Sequence, residues 1–314
     1  MRSDERHVPV LLQDAIRYLN VRAGGTYLDA TLGNAGHAVE IAKMLGRRGK
    51  LIGFDRDPEA LEGARSRLDT LRQQLGSEMP RVELHGEAFS AVDRSVEPAS
   101  LDGLLADFGL SSMQLSDARR GFSFQADGPL DMRADPRGGI TAEQVVNQAG
   151  EKELAGLIYE FGEERRSRRF ARAIVRARPI MTTAQLANVI SAAAPAMKPE
   201  RGRHAIHPAT RVFQALRIHV NDELGEIKAL LAAAPPLLRP GGRLVVISFH
   251  SLEDRLAKDA LREGAREGVL EVFTRKPVTA SEEETDRNPR ARSAKLRAAE
   301  RTARRHGQSR EAGN

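Results

Sequence analysis

Cysteine is absent from the 314 residues. That single absence excludes disulfides, zinc–thiolate sites and thiolate nucleophiles together. Tryptophan is absent too, and aromatic residues make up only 4%, so broad stacking platforms for single-stranded RNA are not expected. No run approaches the 18 apolar residues of a membrane span, and the charged start Met1-Arg-Ser-Asp-Glu-Arg-His7 has no apolar segment behind it. A signal peptide and a membrane partner are therefore not expected, and the chain reads as soluble and cytoplasmic. None of the eight histidines falls into a tightly spaced ligand set, so no metal site is expected.

What is present is an ordinary apolar content of 40% and an uneven distribution of charge. Between Arg287 and Arg310 stand nine Lys/Arg and one acidic residue, a net of +8, so the rest of a chain of net charge +6 carries about −2. A second cluster, Arg165, Arg166, Arg168, Arg169, Arg172, Arg176 and Arg178, lies in a stretch of helical character. Clustered arginines are the electrostatic footprint of phosphate binding, and two clusters in one chain favour a polyanionic substrate over solvated helix faces.

The most informative segment is Tyr27-Leu-Asp-Ala-Thr-Leu-Gly-Asn-Ala-Gly-His37, a short apolar strand running into a small-residue loop and then a helix. Gly33 and Gly36 permit a tight turn and close approach of backbone to a ligand, and the following helix offers free N–H groups. A second strand, Leu51-Ile-Gly-Phe-Asp55, ends in a carboxylate suited to the two hydroxyls of a ribose. The pattern points to a nucleoside cofactor at the carboxyl ends of parallel strands. A dinucleotide is the rival, but the loop lacks the three-glycine fingerprint for a pyrophosphate. Asp29, just upstream, suits a cationic or zwitterionic ligand such as S-adenosylmethionine better.

Periodicity gives an opening helix over 7–20, strands at 27–31, 51–55, 82–85 and 101–107, and a helix over 58–75 with proline at its start. From 113 to 207 no strand is expected. A loop rich in Gly, Asp and Arg (119–139) is followed by helices at 141–148, 151–161, 165–178 and 183–194. The alternation then resumes with a long helix over 209–233, a turn at Pro240-Gly-Gly242, and strands at 243–249, 270–274 and 294–298. The acidic stretch 282–286 reads as a mobile loop. The expected organisation is an α/β domain in two parts, 1–112 and 208–314 with a basic tail, interrupted by an all-helical insertion at 113–207.

Four strand ends should meet at one crevice: the glycine loop, Asp55, Phe89 for an adenine ring, and Asp107 at the end of Gly103-Leu-Leu-Ala-Asp107. A carboxylate closing so apolar a strand is hard to explain as packing. His250, in Ser248-Phe-His-Ser-Leu-Glu-Asp254, fits either a general base or a hydrogen-bonding group at a strand end.

Nearly the whole chain resembles the RsmH (MraW) methyltransferases. The resemblance rests on His7-Val-Pro-Val-Leu-Leu12, the segment from Asp29 to His37, Asp55-Arg-Asp-Pro58 and Asp107-Phe-Gly-Leu-Ser-Ser-Met-Gln-Leu115. It continues in Arg120-Gly-Phe-Ser-Phe124, Gly128-Pro-Leu-Asp-Met-Arg133, His207-Pro-Ala-Thr-Arg-Val-Phe-Gln-Ala-Leu-Arg217, Ser248-Phe-His-Ser-Leu-Glu-Asp-Arg255 and Asn288-Pro-Arg-Ala-Arg-Ser293. It implies a class I, Rossmann-like methyltransferase sheet with an inserted helical domain for substrate recognition. It also implies S-adenosylmethionine as cofactor and N(4)-methylation of a cytidine in 16S rRNA, at the decoding site of the small ribosomal subunit.

Carried over by position, the cofactor contacts fall on Ala35, Gly36, His37, Asp55, Phe89, Asp107 and Gln114; the loop residues Gly33 and Asn34 belong with them. Ala35 departs from the family's usual glycine, and a positive φ there would cost about 1 kcal/mol. With no cysteine for a covalent adduct, the expected reaction is direct in-line transfer to the exocyclic amine. Asp107 would anchor the cofactor, with Ser111, Ser112 or nearby carbonyls accepting from the amine. Two other classes stay open: a non-catalytic ribosome-assembly factor and a DNA amino-methyltransferase. The latter usually carries an Asp/Asn-Pro-Pro-aromatic motif where this chain has Asp107-Phe-Gly-Leu.

Overall fold

The structure is a computed structural model that describes residues 9–194 and 207–303. The side chain of Ser112 is outside that description. The chain divides into two compact units, Met1–Gly109 with Leu224–Asn314, and Leu110–Glu223.

The first unit opens with α1 (Leu12–Leu19) and then alternates: β1 (Thr26–Asp29), α2 (Gly36–Leu45), β2 (Lys50–Phe54), α3 (Pro58–Leu75), β3 (Arg81–His85), α4 (Val92–Ser95) and β4 (Leu101–Asp107). The opening helix starts later than its periodicity suggests, since Leu11 takes a left-handed conformation as its N-cap; residues 1–8, His7 included, lie outside the described residues. At α3, Pro58 takes the first helical position, where its missing N–H costs nothing, and the Asp57 carboxylate accepts from the Glu59 N–H at 3.1 Å.

The second unit is helical: α5 (Ser112–Ser116), α6 (Ala142–Gln148), α7 (Glu151–Gly162), α8 (Ser167–Ala177), α9 (Thr183–Ala193) and α10 (Ala209–Asn221). Thr141 with Gln144 and Thr182 with Gln185 form capping boxes that start α6 and α9. One core joins Leu154 and Ile158 of α7, Phe170 and Ile174 of α8, Leu186 and Ile190 of α9, and Val212 and Leu216 of α10.

The chain then returns to the first unit as α11 (Glu223–Leu237), β5 (Leu238–Ser248), α12 (Ser251–Arg266), β6 (Leu270–Val272), β7 (Val278–Thr279), α13 (Glu282–Arg287) and β8 (Lys295–Arg301). The eight strands form one sheet of order β3-β2-β1-β4-β5-β8-β6, with β7 beside β8. Strands β1 to β5 pair in parallel, and β8 runs antiparallel to β5, β6 and β7. Successive residues of β1 serve opposite faces: Tyr27 packs with Leu19, Ile41 and Leu68 of α1 to α3, Leu28 with Val92, Leu230 and Leu261 of α4, α11 and α12. This is the doubly wound α/β arrangement the sequence predicts. The chain moves outward from β1 to β3 and then crosses back to β4, so the order reverses between β1 and β4. That reversal opens a crevice at their carboxyl ends.

The structure corrects several expectations. The long helix over 209–233 is two helices, broken where Asp222 adopts φ 46°. Val212 and Phe213 of α10 bury in the helical core, while Ile227 and Leu230 of α11 bury against the sheet. Each half follows its own apolar face, so the second unit runs from Leu110 through Glu223, where the sequence suggested 113–207. Pro240 to Gly242 is a bulge rather than a turn: β5 pairs Leu238 with Leu101 and Arg243 with Gly103, so residues 239–242 oppose Asp102 alone. Residues 282–287 form a helix, α13, capped by Ser281, and Glu284 accepts from the Leu11 N–H at 2.6 Å.

The basic tail is also shorter than its charge suggests. Lys295 and Arg297 belong to β8 and pair with Asp254 at 3.2 and 2.7 Å, and Arg304, Arg305 and Arg310 lie outside the described residues. No described helix is long and apolar enough to cross a membrane.

Candidate functional site

At the crevice, the loop after β1 is tied to both neighbouring strands. Ala30 N–H donates to the Leu105 carbonyl at 2.8 Å and Leu32 N–H to the Phe54 carbonyl at 2.9 Å. Gly33, at φ 50°, donates its N–H to Asp55 Oδ2 at 2.8 Å. Asn34 is exposed, and its carbonyl accepts from Arg67 at 3.2 Å. Gly36 opens α2, and a Cβ there would stand 2.5 Å from the Pro9 ring, so this glycine answers a packing need of the chain itself.

Ala35 is the N-cap of α2 with φ 55° and ψ 31°, the left-handed region that favours glycine. An L-residue there carries roughly 1 kcal/mol of strain. Ala35→Gly would relieve it, but would also remove a fully buried methyl (about 0.8 kcal/mol) and loosen the unfolded chain (about 0.4–1 kcal/mol). The expected change in unfolding free energy is below about 1 kcal/mol by urea titration; a loss well above that would mean the methyl organises the loop.

The crevice is lined by carboxylates with few cations. Asp29 is 2% exposed, and burial, followed by the neighbouring Asp55 charge, raises its pKa to about 7. Asp55 is raised to about 6, again chiefly by burial. Its two oxygens accept from Gly33 N–H and from Asp57 N–H (2.9 Å), each keeping a lone pair for another donor. Asp107, whose N–H donates to Thr31 Oγ1 at 2.6 Å, has 23% of its side chain open. Its Oδ1, however, is buried with no hydrogen-bond partner among the described residues. Burial first, then the charges of Asp29 and Glu253, push its pKa well up. No Lys or Arg pairs with Asp29 or Asp107 among the described residues.

His37 adds to this imbalance. Its Nε2 lies 3.1 Å from the Val10 carbonyl, and a carbonyl only accepts, so Nε2 carries the proton. Burial lowers the ring's pKa to about 4, leaving Nδ1 as a bare acceptor 3.7 Å from Asp107 Oδ2. Once ionised, Asp107 presents, with His37 Nδ1, acceptors without donors, a surrounding suited to a cationic, N–H-bearing ligand.

Phe89 begins a single 3-10 turn, partly buried, its ring tilted against Phe108 at 6.0 Å between centroids. His85, at the end of β3, was not singled out by sequence reasoning. Its ring stacks on Phe54 at 4.5 Å, and its buried Nε2 has no hydrogen-bond partner among the described residues. Only its position at a strand end beside Asp55 could have marked it. The first unit thus brings together Gly33, Ala35, Gly36, His37, Asp55 and Asp107.

Ser111, Ser112 and Gln114 lie past Gly109, in the second unit. There Ser111 Oγ accepts from the Gln114 N–H at 3.2 Å and Gln114 Oε1 from the Ser111 N–H at 3.0 Å, a capping box that starts α5. Ser112 opens that helix, and its side chain is outside the described residues. His250 proves to be a helix cap as well. Its Nδ1 accepts from the Glu253 N–H at 3.4 Å, while Glu253 Oε2 accepts from Phe249 and His250 N–H groups at 2.7 and 3.3 Å. Capping α12 gives the Ser248-Phe-His-Ser-Leu-Glu-Asp254 pattern a structural role.

Comparison with known proteins adds a family. The MraW methylase family profile matches residues 4–302. The Ribosomal RNA small subunit methyltransferase H of Acidobacterium capsulatum is 76% identical over 296 residues, covering 94% of this chain and 98% of that protein. The protein of the same name from Koribacter versatilis is 62% identical over 295 residues, covering 94% of each. Among solved structures, a putative rRNA-methylase from Clostridium thermocellum matches with a TM-score of 0.47 and 14% identity, over 94% of this chain and 98% of that one.

Proposed function

Because the chain belongs to the MraW methylase family, we propose that it is an S-adenosylmethionine-dependent rRNA methyltransferase that methylates N(4) of one cytidine in 16S rRNA, at the decoding site of the small ribosomal subunit. Its place of action is then the cytoplasm, and its macromolecular partner is that subunit. The observation that carries the reading is the buried Asp107 Oδ1, a carboxylate oxygen without a donor at the mouth of a doubly wound sheet. A structural carboxylate would be paired; one awaiting a ligand need not be.

The residues fit the cofactor. S-adenosylmethionine supplies an electrophilic methyl on a sulfonium together with an α-ammonium and ribose hydroxyls. Asp55 keeps two lone pairs for the hydroxyls, Asp107 and His37 Nδ1 offer acceptors to a cationic donor, and Phe89 offers a ring edge or face to the base. The exocyclic amine of cytosine is a poor nucleophile because its lone pair is delocalised. The protein must therefore fix it roughly 3 Å from the reacting carbon, in line with the bond that breaks. Hydrogen-bond acceptors would hold the amine's N–H groups as the nitrogen becomes tetrahedral; one proton then leaves and the product amine keeps the other. The target base leaves its stack to reach the site, and the second unit supplies the substrate recognition that compensates for that.

The carboxylates make cofactor binding depend on pH. A bound cation favours ionised Asp29, Asp55 and Asp107, so it lowers their pKa values and binding releases protons. Affinity is expected to rise from pH 5 through the window of about 6 to 7 set by Asp55 and Asp29, and to go on rising above it while Asp107 ionises. Isothermal calorimetry in buffers of different ionisation enthalpy would read the protons released; uptake, or none at pH 6, contradicts this account.

The reaction itself is tested by tritium transfer from labelled S-adenosylmethionine to small subunits from a strain lacking this gene, followed by nucleoside digestion and mass analysis. Label in N(4)-methylcytidine is the expected result. Cofactor binding with no label in rRNA would defeat the proposal.

A further inference from the structure

Helix α8 carries its arginines as a ridge. Phe170, Ala171 and Ile174 are buried in the helical core, which leaves Arg168, Arg169, Arg172 and Arg176 exposed on the other side. Arg168, Arg172 and Arg176 stand four residues apart, so they lie one above another along about 12 Å of helix. Together with Ala173 and with Ala193 at the end of α9, the four arginines line an open groove of about 500 Å³.

Like charges stacked at this spacing repel, and a surface built only for solubility would intersperse carboxylates. Here Arg172 alone meets one, with Nε 3.4 Å from Glu151 Oε1. Arg168, Arg169 and Arg176 have no acidic partner among the described residues. Arginine forks bind phosphate oxygens in pairs, and the two short alanine side chains leave the groove space for a strand of backbone.

We infer that the arginine-lined groove between α8 and the end of α9 binds consecutive phosphates of the rRNA substrate. It holds the RNA by its backbone and takes no part in the chemistry. The inference rests on the rRNA reading proposed above. Because the contacts are to phosphate, they supply affinity that salt weakens and no sequence preference.

The test is a triple variant, Arg168→Gln/Arg169→Gln/Arg176→Gln, assayed with small subunits as substrate beside the wild-type protein. KM for subunits is expected to rise roughly tenfold or more at physiological salt, and the slope of log affinity against log salt to fall by about 2 to 3. kcat at saturating subunits and the Kd for S-adenosylmethionine should stay within about twofold. Lysine at the same three positions keeps the charge and should restore most of the salt slope. An unchanged KM and slope, a loss confined to kcat, or a lysine variant as weak as the glutamine one would each overturn the inference. Failure of the wild-type protein to methylate subunits would instead count against the proposed function, and subunit binding measured without turnover still tests the groove.

Discussion

Asp107→Asn is expected to cut methyl transfer about a hundredfold or more while making the protein more stable. The substitution keeps the shape of the side chain and removes its charge. Charge-assisted hydrogen bonds are worth about 1.5–3 kcal/mol, and losing a buried charged partner costs more, so kcat/KM should fall at least about a hundredfold. The stability gain follows from the same isolation. Burial and neighbouring carboxylates raise the Asp107 pKa in the folded state, so the folded protein binds more protons than the unfolded chain. Stability from such a group is present below the unfolded value of 3.8 and lost as pH rises through the folded value. Between the unfolded value and the raised folded value the wild-type protein loses stability with rising pH, whereas the asparagine variant has no such group to titrate. The stability advantage of the variant should therefore be smaller at pH 5 than at pH 8. Thermal unfolding at the two pH values, with calorimetric Kd for S-adenosylmethionine, reads all of this. Near-normal turnover in the variant would remove Asp107 from the site.

The sheet was legible because its strands announce themselves locally. Val245, Val246 and Ile247 form an unbroken apolar run, as a strand buried on both faces should, and Pro58 with Asp57 marks the start of α3 to the residue. The strand-end carboxylates Asp55 and Asp107 were legible for the same reason, since each closes an apolar strand where packing has no use for a charge. Other features depend on partners distant in sequence. Nothing near Asp222 says that α10 and α11 serve different cores. The β5 bulge depends on which residues of β4 lie opposite. The basic residues of β8 look like a tail until Asp254, more than forty positions away, pairs with Lys295 and Arg297. His250 shows the ambiguity most directly: a polar residue after a strand and before a helix has the same appearance whether it moves protons or caps the helix. Its Nδ1 caps α12 by accepting from the Glu253 N–H, while its Nε2 lies 3.0 Å from Glu253 Oε1.

Gly128→Ala should have the opposite profile to Asp107→Asn, losing stability and activity together. The resemblance marks Gly128-Pro-Leu-Asp-Met-Arg133 as a distinctive block, and the structure supplies a mechanical reason. A Cβ on Gly128 would lie 1.9 Å from the Ala118 carbonyl oxygen and 2.7 Å from its carbon, far inside van der Waals contact, and both partners are backbone. Neither side can yield. On one, Gly128 N–H donates to Thr183 Oγ1 at 3.1 Å, Gly128 carbonyl accepts from Thr183 N–H at 2.9 Å, and Pro129 bridges Thr182. On the other, the 118–120 turn is held by Met132 N–H on the Arg120 carbonyl at 3.0 Å and by Arg120 Nη2 on the Arg133 and Ala134 carbonyls. Asn221 then clamps the same loop, donating to the Met132 carbonyl and accepting from the Ala134 N–H, each at 2.7 Å. A methyl group here must break part of this lattice of backbone bonds, at a cost of about 3 kcal/mol or more. For a chain of this size that corresponds to a drop of very roughly 5–10 °C in Tm. Faster hydrogen exchange should be concentrated in residues 117–141 and the start of α9, because those are the segments the clamp joins. Transfer to subunits should fall with it, whereas free S-adenosylmethionine should still bind the first unit's carboxylates. A Tm within about 2 °C of wild type would mean that the loop has room the geometry does not show, and the block would need a direct role in the substrate complex.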